Sequence, residues 1–128
     1  MLNDFDISDI EGKISDKIRD LGFERVWNNR PTATDDSISD FVVVRVAGGI
    51  SDVAAYGSCR VLVTLFARDI KGMKNTKKLS VMQQAIRDIP LWIEPLLIDG
   101  HTRVVGDTAD DFGFHARTIN FKVFIKSV

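Results

Sequence analysis

The chain has 128 residues, 45% of them apolar and 27% charged, with a formal net charge of -1. That is the size of one ordinary domain with enough apolar residues for a core, and it excludes a disordered acidic tail and a strongly basic free-standing nucleic-acid binder. Cys59 is the single cysteine, which excludes an intrachain disulfide and a Cys-based zinc site. The first six residues carry acids and no basic n-region, and the densest apolar run, Val61 to Ala67, is strand-sized, so neither a secretory signal nor a membrane span is expected. These features describe a soluble single domain over 1–128 in a reducing compartment and do not by themselves say what it does.

Ile7, Ile10, Ile14, Ile18 and Leu21 recur at helical spacing and predict a helix over about 8–21, with Ser8 and Glu11 as a capping box and Gly22 as terminator. Phe23 to Trp27 reads as a short strand or an extended arm. Asn28 to Asp40 is rich in Asn, Thr, Ser, Asp and Pro and reads as a long loop, and such loops are usually functional or mobile. Phe41 to Ala47 is a Val-rich strand. Gly48, Gly49, Ser51, Asp52 and Gly57 predict a flexible connection, followed by an alternating strand from Cys59 to Arg68. Leu79, Met82, Ile86 and Ile89 predict a second helix over about 76–88, stopped by Pro90. Leu91 to Ile98, broken by Pro95, reads as an edge strand or an irregular segment. Thr102 to Asp107 follows an Asp99–Gly100 turn as a short strand, and Phe114 to Ile125 alternates as a long final one. This order argues an α+β fold: a single mixed or antiparallel sheet of four to five strands with both helices packed on one face.

Charge is unevenly placed. Residues 1–40 hold 10 acids and 5 bases, whereas 60–87 hold seven bases (Arg60, Arg68, Lys71, Lys74, Lys77, Lys78 and Arg87) against Asp69 alone. Opposite charge on two parts of one chain suits contacts within a subunit or between neighbouring copies.

The residues that could carry chemistry are few. His101 and His115 are the only histidines, with Asp107, Asp110 and Asp111 between them, and such a cluster could hold zinc or move protons. No HxxxH or HxH pair occurs, and Thr108 to Gly113 is turn chemistry, so a polar hairpin loop is the preferred reading. Cys59 opens an alternating strand and reads as a small buried hydrophobe. Gly48-Gly49 lacks the following helix and Lys-Ser/Thr pair of a phosphate loop. No catalytic residue, metal ligand or cofactor site is therefore expected. The candidate interface residues are Lys71, Lys74, Lys77 and Lys78, which could meet an anionic neighbour or a nucleic-acid backbone, and Trp92, which with Ile93 and Leu96-Leu97 is the best candidate for an exposed apolar patch. Phe124 lies among Asn120, Lys122 and Lys126 on the polar side of the last strand.

The element order, with the segments Asp40–Asp69, the helix from Thr76 and Gly106–Lys126, resembles the tail-terminator and head–tail joining (neck) proteins of tailed phages and related prophage devices. The resemblance covers roughly residues 5–126. It implies a non-catalytic assembly protein, usually a hexameric ring, whose partners are other copies of itself and tail-tube or neck proteins, with nucleic acid met only through a ring lumen and no membrane contact. It places the protein in the host bacterial cytoplasm during assembly and then in a virion or phage-like particle. A loop at 28–40 or 48–57 would order at the interface on assembly. Two alternatives stand beside it: a small α+β enzyme or ligand-binding domain using the 101–117 hairpin, and an adaptor that binds nucleic acid through the 68–78 lysines.

Overall fold

A computed structural model of the chain describes residues 6–31, 37–53, 56–109 and 113–126. Helix α1 (Ile7–Asp20) forms on the isoleucine stripe, and Ile10, Ile14 and Ile18 are buried. Its cap differs from the expected Ser8–Glu11 box. Asp6 is the N-cap and accepts the Asp9 N–H at 3.0 Å, while the Asp9 carboxylate accepts the Asp6 N–H at 2.9 Å. Aspartate caps a helix as well as serine does, so the box forms two residues earlier. Glu11, not needed at the cap, instead accepts the Val46 N–H at 2.9 Å and ties the helix to the sheet.

The remaining elements are β1 (Val26–Trp27), β2 (Asp40–Val53), β3 (Tyr56–Arg68), α2 (Thr76–Ile86), β4 (Trp92–Ile93), β5 (Leu96–Ala109) and β6 (Phe114–Lys126). They form one six-stranded sheet in the order β1-β2-β3-β6-β5-β4. Only β1 against β2 is parallel, so the sheet is mixed. The class is α+β as expected, but the count of four to five strands is too low. β1 and β4 are edge strands of two residues each, inside the 23–27 and 91–98 segments for which the sequence left a strand and an irregular segment both open.

The described residues of two connections expected from glycine are also strand, residues 54 and 55 lying outside them. Gly48 and Gly49 lie inside β2, in a register shift between Ala47 and Ser51, and the chain then pairs on to Val53 opposite Tyr56. Asp99–Gly100 is likewise not a turn between strands but part of β5, whose pairing with β6 shifts register between Asp99 and Val104. A bulge absorbs such residues without ending the strand. Helix α2 ends at Ile86, two residues short of the expected end, with Asn75 as its N-cap accepting the Lys78 N–H at 3.1 Å. Between β3 and α2, Ile70 and Met73 pair across a two-residue turn in which Lys71 (φ 53°) and Gly72 (φ 76°) are both left-handed, the geometry of a type I′ turn.

Both helices lie on the same face of the sheet. Ile10, Ile14, Ile18, Leu79, Met82 and Ile86 join one buried cluster with Val42, Val44, Val61, Val63, Leu65, Ile119, Phe121 and Val123. The opposite face carries a smaller cluster at one end of the strands, where Phe41, Val43, Phe66, Phe114 and Ala116 are covered by Trp27 and Ile38. Residues 28–31 and 37–39 form neither helix nor strand, as expected of a loop, and Ile38 of this segment packs on the sheet; residues 32–36 lie outside the described residues. Among the described residues no helix is long and apolar enough to cross a membrane.

Candidate assembly interface

Strand register decides which side chains share the face that neither helix covers. Directly opposed residues of an antiparallel pair point the same way. One row across the sheet is therefore Ala47, Arg60, Lys122 and Asp99, and the next is Ser58, Phe124, Leu97 and Trp92. Trp92 is 48% exposed and Leu97 45% exposed, and Phe124 between Leu97 and Ser58 is half-buried. The Lys122 ammonium sits 5.2 Å from the centre of the Phe124 ring. The sequence singled out Trp92 together with Ile93 and Leu96-Leu97, and Phe124 apart from them; the sheet buries Ile93 and Leu96 and sets Trp92, Leu97 and Phe124 side by side on neighbouring strands. The alternation of β6 carries Phe124 to this face, away from the buried Phe121, Val123 and Ile125.

The four candidate lysines separate. Lys74 binds the Asp107 carboxylate, and Lys78 pairs with Asp40 at 2.8 Å. Lys71 is exposed on the turn before α2, and Lys77 is exposed in the first turn of that helix. Two of the four charges are thus neutralised within the subunit, one of them by an acid of the N-terminal region. Linear charge counting could not show this, because each partner lies more than thirty residues away along the chain.

The 101–117 hairpin is built around Asp107. Arg117 grips this carboxylate with two bonds, Nε to Oδ1 at 2.5 Å and Nη2 to Oδ2 at 3.1 Å. The same guanidinium donates to Gln83 at 2.9 Å and to Ser80 at 3.3 Å on α2. The cluster pins the second helix to β5 and β6. The hydrogen bond from Arg117, then that from Lys74, hold the Asp107 carboxyl down to about 2 against the opposing effect of burial. Because this lies below an unfolded value of about 3.9, the stabilisation is fully present above that pH and is lost as the pH falls toward about 2. Asp107→Asn is expected to cost about 1–2 kcal/mol at neutral pH, since a carboxylate one-third exposed is partly screened by solvent. It should also flatten the stability–pH curve below about pH 4. Denaturant titrations of both proteins across that range check this.

His115 Nδ1 lies 2.6 Å from Asp69 Oδ1, joining β6 to the end of β3. The side chain of His101 lies outside the described residues, as do Asp110 and Asp111. Among the described residues no group of three or more His, Cys, Asp or Glu is placed to hold a metal ion. Cys59 is buried, and burial pushes its thiol up to about 11, away from the thiolate a nucleophile needs.

A groove of about 420 Å³ lies between the end of α1 and α2, lined in part by Leu21, Phe23, Asp40, Lys78, Val81 and Met82. It does not include Trp92 or the hairpin.

No family model matches the chain, and no curated protein matches it. Nineteen solved chains match it in structure. One of these, known only by a sequence identifier, is 15% identical and superposes with a TM-score of 0.54, covering 93% of this chain and 92% of its own. At that identity the likeness shows that the fold recurs over nearly the whole chain, and nothing about function.

Proposed function

We propose that this protein is a non-catalytic structural subunit of a tailed phage or prophage-encoded device, a tail terminator or head–tail joining protein that assembles into a ring. The observation that carries the reading is the row of Trp92, Leu97 and Phe124 on a sheet face that neither helix covers. Large apolar side chains grouped on an open face mark a surface that meets another protein. The order of elements, which resembles those ring-forming families, supplies the kind of assembly. In this reading the partners are further copies of the chain and a tube or neck protein, a hexamer is the usual ring, and any nucleic acid passes through the lumen.

Sedimentation velocity and electron microscopy of the purified protein test this over a range of concentrations. The expected result is a closed particle of uniform mass, a hexamer in the simplest case. A strict monomer at every concentration, or open filaments of dispersed length, would overturn the ring.

A further inference from the structure

The open face has a charge as well as an apolar centre. Arg60 and Lys122 stand directly opposite each other across β3 and β6, and like charges so placed are destabilising. Arg45 lies one row away on the same face and Lys126 one residue pair beyond Phe124; Asp99, beside Lys122, is the acid among them. An occupant of this face must therefore be anionic around an apolar centre. Two copies packed open face to open face would set these cations against each other, which disfavours a two-fold dimer through this surface.

The chain itself presents the complementary chemistry in the first turn of α1. Asp6 and Asp9 flank Ile7, which is 39% exposed, and each carboxylate accepts a backbone N–H of the capping box. Several other described acids are engaged with cations: Asp16 with Arg19, Asp20 with Lys17, Glu24 with Arg25, Asp40 with Lys78, and Asp107 with Arg117 and Lys74. Asp88 directly follows Arg87, and Glu94 borders the Trp92 row itself. The two surfaces also lie on different sides of the sheet. α1 packs on β1 and β2 near one edge, on the helix-covered face, whereas Trp92 and Leu97 lie at the opposite edge on the open face.

We infer that the first turn of α1 of a second copy seats on the open-face row of Trp92, Leu97 and Phe124, with Asp6 and Asp9 meeting Arg60, Lys122 and Lys126. This rests on the ring reading above and names the surfaces that form the ring. The contact joins two different patches, so it is heterologous, and repeated rotation either closes it or runs on. Salt weakens its charged part, since the Debye length falls from about 10 Å at 0.1 M to about 3 Å at 1 M.

Two double variants test it by sedimentation. Asp6→Asn with Asp9→Gln removes both charges but keeps side chains able to accept the cap hydrogen bonds. Arg60→Glu with Lys122→Glu reverses the open face, and Leu97→Asp at an exposed position of the same row serves as a second open-face variant. Circular dichroism establishes that each is folded. Each is expected to weaken self-association about tenfold or more. Mixing the first variant with an open-face variant should give one-to-one heterodimers, because each mixture retains one intact copy of both surfaces and cannot propagate. If wild type forms rings and the folded variants assemble equally well, or the mixture yields no heterodimer, this contact is wrong while the ring reading stands. A wild type that stays monomeric overturns both.

Discussion

Phe41→Ala is expected to lower the unfolding free energy by about 3–5 kcal/mol, the range for truncating a buried phenylalanine. Phe41 is 1% exposed and sits at the centre of the small cluster on the open side of the sheet. Its ring stacks on Phe66 at 4.5 Å, meets Phe114 edge-on at 5.2 Å and lies 5.0 Å from Trp27. The Arg30 guanidinium is 5.4 Å from its centre and at similar distances from Phe66 and Phe114. Losing the central ring leaves three aromatic neighbours facing a cavity and removes one of the three rings near the cation. Arg30→Met, which keeps apolar bulk and deletes the charge, should cost less, about 0.5–2 kcal/mol. Urea titration of the two variants ranks them. An Arg30→Met loss as large as that of Phe41→Ala would show that the cation, and not ring packing, holds this end of the sheet.

Ile14→Ala is the second large loss expected, about 2–5 kcal/mol. Ile14 is 1% exposed, midway between Ile10 and Ile18 on the buried stripe of α1, and joins the main core between helices and sheet. Ile7→Ala on the same helix, at a position 39% exposed, should cost under about 1 kcal/mol, because most of the cavity term is missing. Denaturation midpoints of the pair report core packing, since Ile→Ala raises interior helix propensity and cannot by that route destabilise α1. Equal midpoints would mean that α1 is not held by the stripe.

The periodic parts of the fold were legible in the amino-acid sequence. Period-3.6 apolar spacing located α1 and α2 to within two residues at each end, and the Val-rich and alternating segments located the cores of β2, β3 and β6. What failed was local punctuation. Glycines and aspartates at 48–57 and 99–100 carry turn chemistry, but the pairing of long neighbours holds them in strands through register shifts. Two-residue edge strands carry too little periodicity to decide between the strand and the irregular segment that 23–27 and 91–98 both allowed.

The candidate surfaces divide the same way. Trp92 was readable as an apolar residue without an obvious place in the core, and its exposure follows from β4 being a short edge strand. The lysines at 71–78 were readable as a positive run, but whether a charge is available to a partner depends on what folding brings beside it. Asp107 and Asp40 reach Lys74 and Lys78 only because β5 and β2 flank, in the same sheet, the β6 and β3 strands on which α2 packs. Composition and periodicity alone determined the α+β class with two helices on a sheet, since the hydrophobic pattern is a property of neighbours in sequence. Cross-strand register decided the row of Trp92, Leu97 and Phe124, the opposed Arg60 and Lys122, and the Asp107–Arg117 clamp, because each joins residues that only hydrogen-bonded strands set side by side.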